Sequence, residues 1–218
     1  MTDPNRTDIS MLLDRSGSMH AIKDDTIGGF DAFIAEQRKA AGHCTVSLAQ
    51  FDDHYEEVYT GKNLADVPSL VLQPRGMTAM LDAIGHLVRT TGERLAALPE
   101  DQRPGTVIVG ILTDGMENAN TEFTHPAIKA LITERTEKFD WTFLYMGANQ
   151  DAIEEGAKLG VAARQSMTYA AANVGSAFAS TAGNVSAMRG AVANGASPAA
   201  ARSAHSYTTG QHTAAAPE

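Results

Sequence analysis

Apolar positions along the chain switch repeatedly between strand-like and helical spacing. Residues 9–13 form a short apolar run, broken only by Ser10, which stops abruptly at Asp14-Arg15-Ser16-Gly17-Ser18. A run of that length suits a buried strand followed by a turn. Ile22, Ile27, Phe30, Phe33 and Ile34 then recur on one helical face, predicting a helix over 19–41. Gly28 and Gly29 are each about 1 kcal/mol worse than alanine in such a helix, so they imply close packing against a sheet. Residues 44–51 and 55–60 read as an antiparallel hairpin across Asp52-Asp53-His54, an acidic turn that is structural first. An irregular stretch with Pro68 and Pro74 leads to a helix over 79–98, whose core stripe is Met80, Ile84, Leu87, Val88 and Leu95.

Residues 106–112, Thr-Val-Ile-Val-Gly-Ile-Leu, are the most hydrophobic run and predict a central strand covered on both faces. A polar loop over 118–125, a helix from Pro126 to about 139, a strand over 141–147 and a short helix over 151–159 follow. Residues 161–167 read as a weak edge strand. Val174, Phe178, Thr181, Val185, Met188 and Val192 place a last helix at about 168–193. Beyond it, 194–218 has too few large apolar groups to offset its ordering entropy and reads as a flexible tail. Strands alternating with helices indicate an α/β sandwich with a mainly parallel sheet, one domain over 6–193.

Composition narrows the function classes. With 218 residues, 43% hydrophobic, the chain has material for one substantial core. Its net charge of −9, from 17 basic and 26 acidic residues without a basic run, argues against nucleic acid as a partner. The single cysteine, Cys44, reads as a core thiol and rules out an intramolecular disulfide. No stretch has the length of a signal peptide's apolar region or of a membrane span, so the expectation is a cytoplasmic protein without membrane contact. The sequons at Asn5 and Asn184 then carry no weight.

Candidate chemistry sits where the first strand stops. Asp14, Ser16 and Ser18 offer oxygen side chains at alternate positions, and Gly17 permits a sharp turn between them. Hard oxygens around one point suit Mg²⁺, Mn²⁺ or Ca²⁺; a strand, a turn and a capped helix without metal is the plainer alternative. Thr78, in Gly-Met-Thr-Ala-Met, opens a second helix, and Asp114, in Ile-Leu-Thr-Asp-Gly-Met-Glu-Asn, follows the central strand. If the two strands are neighbours where the sheet order reverses, Asp14 and Asp114 emerge side by side. Two such carboxylates repel unless a cation lies between them, one is protonated, or both face water.

Asp-x-Ser-x-Ser with a separate Thr and a separate Asp resembles the metal-ion-dependent adhesion site of von Willebrand factor type A (vWA) domains. The resemblance covers roughly residues 6–165. Phe51-Asp52-Asp53 with Pro74-Arg75-Gly76-Met77-Thr78 is similar to the small intracellular bacterial members. It implies a three-layer α/β sandwich with a Rossmann-like, mainly parallel sheet of about six strands, one of them antiparallel. It also implies metal-site loops at 14–18, 76–78 and 113–118. Hydroxyls of Ser16, Ser18 and Thr78 would bind Mg²⁺, or Mn²⁺ or Ca²⁺, with Asp14 and Asp114 acting directly or through water. One coordination position would remain for an acidic side chain of a protein partner. The expected function is a non-enzymatic interaction module. Arg15 is expected to point outward toward that acidic partner, Met77 stands where relatives often have a second glycine, and Asn118 reads as a loop residue first, with support of the metal site by hydrogen bonds as the alternative.

The alternative is a metal-dependent, phosphatase-like hydrolase on the same type of sheet. Such an enzyme usually carries an acid/base aspartate two residues after its nucleophile, where this chain has Ser16. No His-Glu-x-x-His or phosphate-loop motif occurs. A helix-loop-helix calcium site fails as well, because Met19 and Asp25 occupy the positions of its glycine and bidentate glutamate.

Overall fold

In the computed structural model, which describes residues 2–148 and 151–216, the strands are β1 (Asp3–Asp14), β2 (His43–Phe51), β3 (Tyr55–Asn63), β4 (Pro104–Thr113), β5 (Thr142–Ala148) and β6 (Ser166–Tyr169). They form one sheet in the order β3-β2-β1-β4-β5-β6, parallel except for β3. The helices are α1 (Lys23–Gln37), α2 (Met80–Ala96), α3 (His125–Phe139), α4 (Ala152–Leu159), α5 (Val174–Ala193), α6 (Pro198–Ala204) and α7 (Thr209–Ala215). The layered α/β architecture expected from the alternation is the one observed.

Alternation along β1 divides its side chains between two cores. Ile9, Met11 and Leu13 pack with Phe30 and Phe33 of α1 and Phe178 and Val185 of α5. Leu12 faces the other way, toward Ile84 and Val88 of α2 and Ile128 and Ile132 of α3. The run read as a central strand splits likewise, Ile108 and Leu112 to one side and Val109 and Ile111 to the other. Each fully buried side chain of this size contributes about 1.5–3 kcal/mol, which anchors both strands and fixes where their ends lie.

Several boundaries differ from the sequence-based expectations. The helix placed at 19–41 is a 3₁₀ turn, Gly17–Ile22, followed by α1. Gly29 packs against the Phe178 ring of α5 rather than against the sheet, while a side chain at Gly28 would meet nothing. The edge strand lies later than expected, at Ser166–Tyr169, so the last long helix starts only at Val174.

The segment expected to be a flexible tail instead forms α6 and α7. Ser197 and Thr208 cap them, and Ala201, Tyr207 and Ala215 are buried in the core around α5. Tyr207 and Thr181 share a hydroxyl hydrogen bond of 2.7 Å, and Gln211 donates to Asn184 Oδ1 at 3.0 Å. Ala170 N–H also donates to Ala215 O at 2.8 Å. Alanines supply little apolar area each, but against a helix of small residues they approach closely, and the polar contacts add to that packing. Among the described residues no helix is long and apolar enough to cross a membrane.

Candidate metal centre

β1 and β4 are neighbours, and the chain leaves them in opposite directions across the sheet, so a crevice opens beyond their carboxyl ends. Leu13 lies opposite Leu112, which brings Asp14 and Asp114 to the same edge. Asp14 is fully buried; one carboxylate oxygen accepts from Ser16 N–H at 2.6 Å and the other from the Thr113 hydroxyl at 2.5 Å. Ser16 Oγ lies 3.1 Å from Ser18 Oγ, and the Ser18 hydroxyl donates to Asp114 at 2.6 Å.

Thr78 is brought in by the turn at Gly76, where φ is 69° and a side chain would collide with Asp53. Gly17 N–H donates to Gly76 O at 3.2 Å, and Arg75 N–H to Arg15 O at 2.7 Å, so the first and second loops are stitched together. Asn118 clamps the Thr78 main chain on both sides: its Oδ1 accepts from Thr78 N–H at 2.9 Å and its N–H donates to Thr78 O at 3.0 Å. Of the two readings of Asn118, the hydrogen-bonded one is the one observed. Glu117 holds the same loop by accepting from Leu81, Ala119 and Asn120 N–H groups.

The five residues singled out in the sequence thus converge. The geometry at Gly115 defines the space they surround: a Cβ there would lie 3.1 Å from Thr78 Oγ1, 3.7 Å from Ser18 Oγ and 3.8 Å from Asp14. Oxygens from the 14–18 and 76–78 loops line a cradle beside Gly115 that one methyl group would fill. Every side-chain donor in it is a hydroxyl or carboxylate oxygen, a set suited to a hard divalent cation. Burial pushes the Asp14 carboxyl up to about 6 despite hydrogen bonds from Thr113 and Ser16, and the neighbouring Asp114 adds to the rise. Burial raises Asp114 as well, against the hydrogen bond from Ser18. In both, burial works against the ionised form, and a cation between them would favour it.

Arg15 does not point outward. It is buried, its Nε bonds Asp52 at 3.0 Å, and it also pairs with Glu56. Arg75, largely exposed, bonds the same Asp52 oxygen at 2.8 Å. Burial alone would raise Asp52, but Arg75, His54 N–H and Arg15 together hold it below the ordinary carboxylate range. Asp52, Asp53 and His54 have metal-type ligand atoms close together, yet Asp52 is already engaged by both guanidinium groups, so the cluster braces the loop.

Three contributors escaped the sequence reading. Thr113 hydrogen-bonds Asp14, Tyr169 donates to Thr113 O at 3.3 Å, and Asp82 accepts from Thr121, Glu122 and Phe123 N–H groups to fold the loop after Asp114. Only Thr113 left a signal, a hydroxyl directly before Asp114 at the end of an otherwise apolar strand.

No protein-family model and no curated protein matches the chain. Solved structures do. The chain is similar to proximal thread matrix protein 1 from the mussel byssus with a zinc-occupied MIDAS motif, at 15% identity and TM-score 0.58, over 83% of this chain and 46% of that one. It is similar to a von Willebrand factor type A structure from Catenulispora acidiphila at 16% identity and TM-score 0.55, covering 84% and 43%. It also resembles the vWF domain of the type V pili tip protein Mfa5 from Porphyromonas gingivalis at 12% identity and TM-score 0.57, covering 82% and 94%. The chain spans less than half the length of the mussel and Catenulispora chains. At these identities the likeness is one of fold.

Proposed function

We propose that this chain, whose fold is that of von Willebrand factor type A domains, is a metal-dependent protein-interaction module that binds an acidic residue of a protein partner. The observation that carries the proposal is the cradle at Gly115, with Asp14, Ser18 and Thr78 oxygens around one small space and Asp114 bonded to Ser18. In this reading Ser16, Ser18 and Thr78 offer hydroxyl oxygens, and Asp14 and Asp114 supply negative charge directly or through water. Mg²⁺ is the cation proposed, with Mn²⁺ or Ca²⁺ able to replace it. A cation held there supplies an open Lewis-acidic position for a carboxylate oxygen.

The chain's own groups prepare that position. Thr113 and Ser16 N–H orient Asp14, Asn118 fixes Thr78, and Tyr169 steadies the strand end that carries Asp114. The zinc-occupied MIDAS of the mussel protein supports a metal on this fold. The proposal is non-enzymatic, supported by Ser16 at the position where a hydrolase would carry its second aspartate. A cytoplasmic setting belongs to the proposal as well, supported by Cys44 as a buried, unbridged thiol.

Calorimetric titration of chelator-treated protein with Mg²⁺ and Mn²⁺ tests it. Saturable one-site binding that Asp14→Ala and Asp114→Ala both lose is the expected result. Absence of binding by the parent at millimolar ion, or its persistence in both variants, overturns the assignment.

A further inference from the structure

The opposite end of the sheet carries a feature unrelated to the oxygen-lined loops. Beside the starts of β4 and β5, between the C-terminal halves of α2 and α3, lies an open pocket of about 180 Å³ lined by Gly92, Leu95, Val107, Arg135, Phe139 and Trp141. Its walls are mostly apolar, with Thr2, Arg103 and Arg135 as the polar lining residues; the Arg135 guanidinium carbon sits 5.1 Å from the Phe139 ring centroid and 5.4 Å from that of Trp141. The Arg135 Nε is buried without a hydrogen-bond partner. Among the described residues no carboxylate pairs with this guanidinium; the adjacent Glu134 is bonded to Lys138 instead. Arg103, also on the wall, is already used, donating to Ala96 O and Leu98 O at the end of α2.

In a chain with net charge −9, a half-buried cation without an acid is out of keeping with its surroundings: the Phe139 and Trp141 rings offset part of its lost hydration, but no carboxylate among the described residues neutralises it. The backbone also makes room for it. A Cβ at Gly92 would lie 2.9 Å from Arg135 Nη2, so glycine stands inside α2, at a cost of about 1 kcal/mol to the helix, where a larger residue would displace the guanidinium.

We propose that this pocket binds a small aromatic carboxylate, its carboxylate paired with Arg135 and its ring against Leu95, Val107 and Trp141. A planar fork of N–H donors matches a carboxylate in two-point contact. Size agrees too: an apolar cavity of about 150 Å³ accommodates benzene. The site lies at the far end of the strands from Asp14 and does not depend on the metal centre.

Trp141 is the only tryptophan, so its single indole N–H resonance in ¹⁵N-labelled protein reports on the pocket. Benzoate is titrated in the presence of EDTA, which removes any metal that could capture it at Asp14. Saturable movement of that resonance in about the millimolar range is expected. Neutral benzamide, of nearly the same shape, should bind at least about tenfold more weakly, as should benzoate to Arg135→Met or Gly92→Ala. No saturation by benzoate, or equal affinity for benzoate and benzamide, overturns the proposal. That comparison needs only the parent protein and stands whether or not the variants fold.

Discussion

At Gly115 the absence of a side chain leaves the space around which Thr78, Ser18 and Asp14 are arranged. Its φ is not in the left-handed region, so alanine is tolerated by the backbone there. Gly115→Ala is therefore expected to fold, with a melting temperature within a few degrees of the parent, while losing Mg²⁺ affinity by about tenfold or more. Thermal unfolding and metal titration of the same sample check both halves. Arg15 illustrates a different residue-scale lesson. A cation beside Asp14 in sequence looked available to a partner, but the turn after β2 and the start of β3 place Asp52 and Glu56 against it, and charge pairing in the interior decides its direction.

At the level of elements, the loops depend on helices that contribute no side chain to the cradle. Asp82, in the first turn of α2, accepts three backbone N–H groups from 121–123 and the Thr121 hydroxyl. Burial raises its carboxyl, but these bonds together hold it below the ordinary range, the sign of an anion that is well satisfied. Asp82→Ala leaves those donors without their acceptor and should destabilise the protein by about 2–4 kcal/mol. It should also loosen the loop after Asp114 and weaken Mg²⁺ binding. Denaturant unfolding measures the first effect, and hydrogen exchange of the 117–123 amides the second. Such a brace was not legible beforehand, because an acidic residue in the first turn of a helix reads as a favourable helix-dipole partner whether or not a loop folds over it. The C-terminal helices were hidden for a related reason. Their alanines look too small to pack until α5 offers a surface they can approach.

For the molecule as a whole, the raised carboxyl of Asp14 links stability, pH and metal. Its folded value of about 6 lies above the ordinary 3.8, so between those values the native state holds more protons than the unfolded chain. Stability of metal-free protein from this group is therefore greatest at the acid end and falls as pH rises from about 4 to 6, by about 3 kcal/mol at most. The raised Asp114 acts in the same direction, whereas Asp52 and Asp82, both lowered, exert their effect below that window. Denaturant midpoints in EDTA should decline across pH 4–6 in the parent, and the decline should be smaller in Asp14→Asn. Saturating Mg²⁺ should restore the midpoint above pH 6, because binding to the folded state alone adds to its stability.

The sequence by itself determined the layers, the parallel sheet and the ligand-type residues, because these rest on local periodicity and on side chains that stand one or two positions apart. The run over 106–112 needs a sheet covered on both faces, and Asp14, Ser16 and Ser18 fall on one turn whatever surrounds them. Which residues meet across the chain was settled only by tertiary structure. Strand order brought Asp114 to Asp14, the Gly76 turn and Asn118 fixed Thr78, and packing around α5 ordered the chain from Pro198 to Ala215. Each of these depends on a contact between groups far apart in sequence, whose free energy exists only once the intervening chain has folded.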